Sequence, residues 1–323
     1  MNRISRTLAI ACALFSVTCN QSMAEDWPNR PVRIVVPYAA GGAADFLGRV
    51  FAEQLSTSLG QSFYVENRAG GGGIVGTLSV ARSEPDGYTL MVSGFPSHVI
   101  APGMNANANF DPMRDFTHIA YLGGPPNVFV AHPSFGVKTF AEFMTKVKSE
   151  KAGVEYVSPG LGTGGNMVAE YFKIKSGANL IHVGYKGGGA AIMDLIAGHV
   201  KVGSMTLSTT ISHIRAGSLI PLAVSSAERV PDIANVPTLS ELGYPGLVAV
   251  TWFSLSGPAG LPKEVVDKVN RVVVASLKSA KVMKQLKQEE VETKPMTPAE
   301  VTAFMQSELE KWHPVLAAIG KTK

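Results

Sequence analysis

Short apolar and β-branched runs recur along the chain. Stretches whose apolar residues return every three or four positions separate them. The runs at residues 32–38, 63–67, 88–93, 127–131, 154–158, 180–185, 200–207, 219–225 and 248–255 read as strands. Stretches such as 45–59, 140–149, 166–175 and 190–197 read as helices. This alternation predicts an α/β fold with mostly parallel sheets flanked by helices. In the first helix, Leu47, Val50, Phe51, Leu55 and Leu59 share one face, and Gly60 stands where a helix-ending glycine belongs. Pro262 opens a long helix carrying Val265, Val266, Val269 and Val273. In the last helix, Thr297-Pro298-Ala299-Glu300 forms a capping box, Val301, Phe304, Met305, Leu309 and Trp312 form the buried stripe, and Pro314 should kink or end it.

Two of these strands end in turns of unusual chemistry. The run at 32–36 passes through Pro37-Tyr38-Ala39-Ala40-Gly41-Gly42-Ala43-Ala44 to Asp45. The run at 154–158 passes from Ser158 through Pro159-Gly160-Leu161-Gly162-Thr163-Gly164-Gly165 to Asn166. A helix that starts after small residues presents unpaired N–H groups and a positive dipole end to one point, which suits an anion. Asp45 is expected to be the helix N-cap, and its carboxylate could also hold a ligand ammonium. The ligand-binding set expected from this pattern is Tyr38, Ala40, Gly41, Gly42 and Asp45 from the first turn and Ser158, Gly162, Thr163 and Asn166 from the second. Ser93, which ends the run 88–93, and Ser208, which follows the run 200–207, complete it.

Gly123-Gly124-Pro125-Pro126 and the stretch 251–260 look like crossings between domains. Residues 25–125 and 251–323 would then form one lobe and 126–250 the other, on a double hinge around a cleft. Trp252, in the second crossing, is expected to pack between lobes. Each lobe receives one of the two turns. No internal repeat is evident, and Gly70–Gly73 reads as a local loop of glycines.

The N-terminus changes the compartment. A charged start, an apolar segment of about ten residues and a small-residue site at Ser22-Met23-Ala24 predict a signal peptide over 1–24, cleaved after Ala24. Both cysteines, Cys12 and Cys19, fall in it, so the exported chain has no disulfide and no thiolate site. Removing Arg3 and Arg6 leaves 27 basic against 25 acidic residues, which is no nucleic-acid footprint. About one residue in ten is glycine (33 of 323), as tight turns and close backbone approaches require.

Catalytic and cofactor readings find little support. Two G-x-G-x-x-G matches occur, at Gly71, Gly73, Gly76 and at Gly160, Gly162, Gly165, but the strand 180–185 is followed by Lys186-Gly187-Gly188-Gly189 instead of the acid a dinucleotide fold needs. There is no G-x-S-x-G, H-E-x-x-H or Gly-Lys-Ser/Thr motif, and the seven histidines show no metal-ligand spacing. No cofactor and no metal are expected. Arg68 and Lys186 stand beside Gly-rich turns, where either could reach the cleft or be a solvated charge.

The ordered motifs Trp27-Pro28-Asn29-Arg30-Pro31, Pro37-Tyr38-x-x-Gly41-Gly42-x-x-Asp45, Val65-Glu66-Asn67-Arg68-x-Gly70 and Pro85-Asp86-Gly87-Tyr88-Thr89-Leu90 carry a family resemblance. So do Asp111-Pro112-x-Arg114-Asp115-Phe116, His182-Val183-x-Tyr185-Lys186-Gly187 and Val236-Pro237-Thr238. Together they resemble the substrate-binding proteins of the tripartite tricarboxylate transporter family, the Bug-type periplasmic receptors. The resemblance implies a two-lobed, venus-flytrap binding protein without catalytic activity. It would be a monomer that captures a di- or tricarboxylate, an acidic amino acid or an aromatic acid. The loaded receptor would deliver to a two-component membrane permease, or report to a sensor kinase as some relatives do. A secreted enzyme acting on a carboxylate is the rival reading, and it lacks a nucleophile and base at suitable spacing. The chain departs from the family pattern at Asn166, Gly184 and Leu261, where many members have His, Pro and Thr. The ligand of a relative is therefore not transferable.

Overall fold

The computed structural model describes residues 27–105, 107–185 and 187–320. The signal-peptide segment, both cysteines and Lys186 lie outside them. The strands are β1 (Val32–Val36), β2 (Phe63–Asn67), β3 (Thr89–Gly94), β4 (Phe116–Gly123), β5 (Asn127–Ala131), β6 (Val154–Ser158), β7 (Leu180–Gly184), β8 (Val202–Thr206), β9 (Ile220–Val224) and β10 (Phe253–Pro258). The helices are α1 (Ala43–Leu59), α2 (Ile74–Ala81), α3 (Ala101–Met104), α4 (Phe140–Ser149), α5 (Gly164–Ser176), α6 (Gly188–Ile196), α7 (Leu207–Arg215), α8 (Lys263–Ser276), α9 (Ala280–Gln288) and α10 (Pro298–Ile319).

The strands form two five-stranded sheets, ordered β2-β1-β3-β10-β4 and β7-β6-β8-β5-β9. The two orders correspond position by position. β1 and β6 hold the second place in their sheets, and each carries one of the two small-residue turns at its end. Neither sheet is all parallel. β10 runs antiparallel to β3 and β4, and β5 runs antiparallel to β8 and β9. The reversed strand is in each case the first one made after the chain passes from one sheet to the other. The passages run side by side, tied by a bridge between Pro126 and Val250, and Gly124 in the first passage also bridges Glu292, which follows α9.

Alternation along the strands sends side chains to two cores per sheet. In β1, Val32, Ile34 and Val36 pack under α1, α8 and α9, whereas Val35 joins Ile74, Met91 and Phe116 on the other face. In β5, Val128 and Val130 face α6 and α7, while Phe129 and Ala131 face α4 and α5. The last helix belongs to this second core. The Trp312 ring lies 4.9 Å from Phe95, which follows β3, and 5.6 Å from Tyr171 on α5. Glu308, 7% exposed, accepts hydrogen bonds from the indole N–H groups of Trp252 (2.9 Å) and Trp312 (3.2 Å) and from Lys311 Nζ.

Several expectations change. β4 has no counterpart among the expected strands, because His118 and Tyr121 interrupt its apolar pattern. His118 is nevertheless buried, its ring bonded to Ser256 Oγ and the Pro112 carbonyl. The expected strand at 248–255 is displaced to Phe253–Pro258, since residues 249–252 form the return passage. The helix after Pro262 carries all four expected valines over Lys263–Ser276, and a second helix follows it at Ala280–Gln288. The capping box at Thr297 and Glu300 forms, but α10 runs through Pro314 to Ile319 without ending there.

Candidate functional site

The two strand–helix turns share one construction. In the first, Gly41 takes φ +90°, a conformation that favours glycine, and Gly42 caps α1. Asp45, the third helical residue, reaches back, and the Gly41 N–H donates to its Oδ2 at 3.0 Å. In the second, Gly162 takes φ +75°, Thr163 caps α5, and the Gly162 N–H donates to Asn166 Oδ1 at 3.0 Å. Asp45 is thus not the N-cap. The chain becomes helical at Ala43, so the cap falls on Gly42, and Asp45 instead satisfies the amide just before it, as in a capping box.

Behind these turns the supports differ in charge. Asp45 accepts from Asn67 Nδ2 at 2.9 Å and from Arg49, one helical turn on, at 3.0 Å. Burial would raise its pKa, but the bonds from Arg49, Gly41 and Asn67 and the guanidinium charge outweigh it and hold the carboxyl below its ordinary value. Asn67 also donates to the Tyr38 carbonyl at 3.1 Å, which ties the turn to the end of β2. In the second turn Asn166 Nδ2 donates to the Tyr156 hydroxyl at 3.0 Å. That hydroxyl donates to Glu170, again one turn on, at 2.7 Å, and Glu170 pairs with Lys173. Ser158 is fully buried and shares a 2.7 Å hydrogen bond with His182 Nε2. Gly164 and Gly165 serve packing: a Cβ there would fall 1.9 Å from Thr251 Oγ1 and 2.1 Å from the Ser204 carbonyl.

A cavity of about 670 Å³ opens between the turns. From the first sheet it is lined by Tyr38, Gly71, Gly72 and Ile74, and from the second by residues 159–163 and Tyr185. Its remaining wall is the segment that follows β3, through Pro96, Ile100, Ala101, Met104 and Asn105. Residues 71–73 all take positive φ, a left-handed turn that only glycines make cheaply. The Tyr38 hydroxyl is buried without a hydrogen-bond partner, with Ser97 nearby. Burial raises its pKa far above the usual tyrosine value, so it stays a donor at any physiological pH. Tyr185 instead donates to Asp194 Oδ2 at 2.5 Å, a bond that, with burial, pushes its pKa up to about 12. Thr163 spends its hydroxyl on the Gly160 carbonyl at 2.7 Å.

Of the residues expected to bind, Tyr38, Gly162 and Thr163 line the cavity. Ala40, Gly41 and Gly42 sit exposed at the start of α1, and nothing would lie within 4 Å of a Cβ on either glycine. Asp45, Ser158 and Asn166 are buried behind the turns. Ser93 is fully buried in β3, its hydroxyl 2.8 Å from Ser254 Oγ and 2.6 Å from Ser256 Oγ. Ser208 is half-buried, the second residue of α7. Arg68 is exposed and outside the lining. The sequence reading missed Gly71, Gly72, the segment 96–105, Leu161 and Tyr185 as cavity residues. The glycine run was the available signal for the first two.

A larger cavity of about 820 Å³ lies between residues 227–232 and 283–293, with no residue of either turn. Among the described residues, no group of three His, Cys, Asp or Glu could hold a metal ion. Among the same residues, no helix is long and apolar enough to cross a membrane.

Residues 47–321 match the family described as the tripartite tricarboxylate transporter family receptor. The chain is 31% identical to Protein BugT of Bordetella pertussis over 322 residues, covering 99% of this chain and 98% of that protein. It is similar to an R. palustris protein solved with adipate (TM-score 0.82, 31% identity, 90% of this chain and 98% of that one). It is also similar to MatC of Rhodopseudomonas palustris, solved with bound malate (TM-score 0.79, 28% identity, 90% and 100%).

Proposed function

The chain belongs to the tripartite tricarboxylate transporter receptor family, solute-binding proteins rather than enzymes, and from this premise we propose that it captures a small organic acid in the periplasm. The observation that carries the reading is the pair of like-built turns, one at the end of β1 and one at the end of β6, with Tyr38 of the first and residues 159–163 of the second lining one cavity. One carboxylate would take the Tyr38 hydroxyl and the open leading amides of α1, where the helix dipole favours negative charge. Residues 160–163 would close on it from the second sheet. The sheets act as two lobes, 25–125 with 251–323 and 126–250, that swing on the paired passages. Export would follow cleavage after Ala24, and the loaded monomer would hand its acid to a two-component permease. The two relatives solved with adipate and malate are in keeping with this ligand class.

Thermal shift of the exported chain against di-, tri-, amino, aliphatic and aromatic acids tests the reading. A ligand at 100 times its Kd should add about 2.7 kcal/mol of stability. Gly42 has an extended backbone (φ −93°) with open space around it, so Gly42→Val should fold normally and lose at least ten-fold in affinity by shielding the leading amides. Silence across every acid class would overturn the proposal.

A further inference from the structure

We propose that Asn105 is a specificity-determining residue of the acid site: its side-chain NH2 group donates to a second carboxylate at the far end of the ligand. The inference rests on the carboxylate reading above and concerns the same cavity. Of the side chains that line it, Tyr38, Thr163, Tyr185 and Asn105 carry hydrogen-bond donors, and among the described residues no Lys, Arg or His does. Apolar walls with a few polar groups that fix orientation are the usual form of a small-molecule pocket. Three of these four donors are spent or buried. Thr163 donates to the Gly160 carbonyl, Tyr185 donates to Asp194, and the Tyr38 hydroxyl is buried. Asn105 is the one left.

Its placement follows from the wall that it ends. Asn105 caps α3, its backbone N–H donating to the Ala101 carbonyl at 3.0 Å. Residues 100 and 104, and 101 and 105, stack one helical turn apart, and all four line the cavity. Gly103 faces the other way, where a Cβ would fall 2.5 Å from Leu316 of α10. The same wall abuts the second turn, since a Cβ on Gly162 would fall 2.9 Å from Ile100 Cγ2 and 3.5 Å from Met104 Sδ. The orientation of the Asn105 amide is fixed as well. The Asn107 N–H can only donate, so the atom it meets at 2.9 Å is Asn105 Oδ1. The Nδ2 protons remain, and among the described residues no acceptor takes them. A carboxylate only accepts, so it suits a donor group whose own oxygen is already engaged. The first carboxylate sits at the turns, Ile100 and Met104 flank the carbon chain, and the second carboxylate ends at Asn105. A methyl group in that place leaves the Nδ2 protons unpaired.

Isothermal titration of the exported chain compares the straight-chain diacids from succinate to adipate with the monoacids of equal carbon number. The unaltered protein should bind at least one diacid about ten-fold more tightly than its monoacid, as a hydrogen bond to a charged group allows. Asn105→Asp keeps an oxygen for the Asn107 N–H and replaces the donors with a negative charge. It should cut that preference about ten-fold or more. It should also bind the ω-amino acid of the same length more tightly than the unaltered protein does, a gain that damage to the wall would not produce. Lys186, next in the chain to Tyr185, lies outside the described residues, and Lys186→Gln should leave the diacid preference in place. Equal binding of diacids and monoacids by the unaltered protein, a preference that survives in Asn105→Asp, or one that is lost in Lys186→Gln would overturn the role of Asn105 while leaving carboxylate capture standing. Binding of no acid by the unaltered protein would overturn both.

Discussion

Tyr38 is the residue on which stability and binding pull in opposite directions. Its hydroxyl is buried and unpaired, and such a group costs about 1–3 kcal/mol in a protein without ligand. Tyr38→Phe should therefore stabilise the unliganded chain by about 1 kcal/mol in urea denaturation while weakening acid binding ten-fold or more. A variant that loses stability, or keeps full affinity, would remove Tyr38 from the proposed site. Asp45 shows the opposite economy. Its carboxylate accepts from Gly41, Asn67 and Arg49, so its work is to hold the turn in shape. Sequence made the two residues look alike as candidates because it shows residue type and spacing but not which lone pairs and protons are already taken.

At the scale of elements, the parts read well from sequence are those with clean periodicity. α4, β2, β5 and β6 fall where the pattern puts them, and each core face follows alternation of two or the helical stripe. The parts read poorly are those where tertiary partners satisfy polar residues. β4 holds His118 inside the sheet because the Pro112 carbonyl can only accept, which places the ring proton on Nε2 and leaves Nδ1 to accept from Ser256. Burial lowers the His118 pKa to about 4, against the upward pull of that carbonyl. The neighbouring His98 is also pushed down, by burial and then by His118. The sign follows directly. Below its ordinary value of 6.5 the unfolded chain takes up a proton that the folded chain refuses until about pH 4, so stability falls as pH drops through that window. The difference between the unaltered protein and His118→Gln, measured by urea denaturation, should change by about 2 kcal/mol from pH 7 to pH 5. A pH-independent difference would mean that His118 titrates alike in both states. The cavity wall at 96–105 was equally hidden, because Pro96, Pro102 and Gly103 break any period and the segment takes a π-helical turn before α3.

For the whole molecule, the sequence shows no repeat, yet the two sheets have the same strand order with one reversed strand each in the same place. The likeness survives in connectivity and in the two turns, where Gly41 and Asp45 answer Gly162 and Asn166. That reversed strand sets the order in which the molecule can assemble. β5 to β9 are contiguous in the chain, so the second sheet has all its strands once residue 224 is available. The first sheet does not: β10 must enter between β3 and β4, and Ser93 meets Ser254 across 161 residues. Closing so long a loop before any contact rewards it is slow. Pulse-labelled hydrogen exchange during refolding should therefore protect β6–β8 before β3, β10 and β4, and simultaneous protection would contradict it. Until that insertion, the facing edges of β3 and β4 stand unpaired and open to strands of other chains. An unfolded copy is thus most exposed to aggregation while its last strand is still on the way.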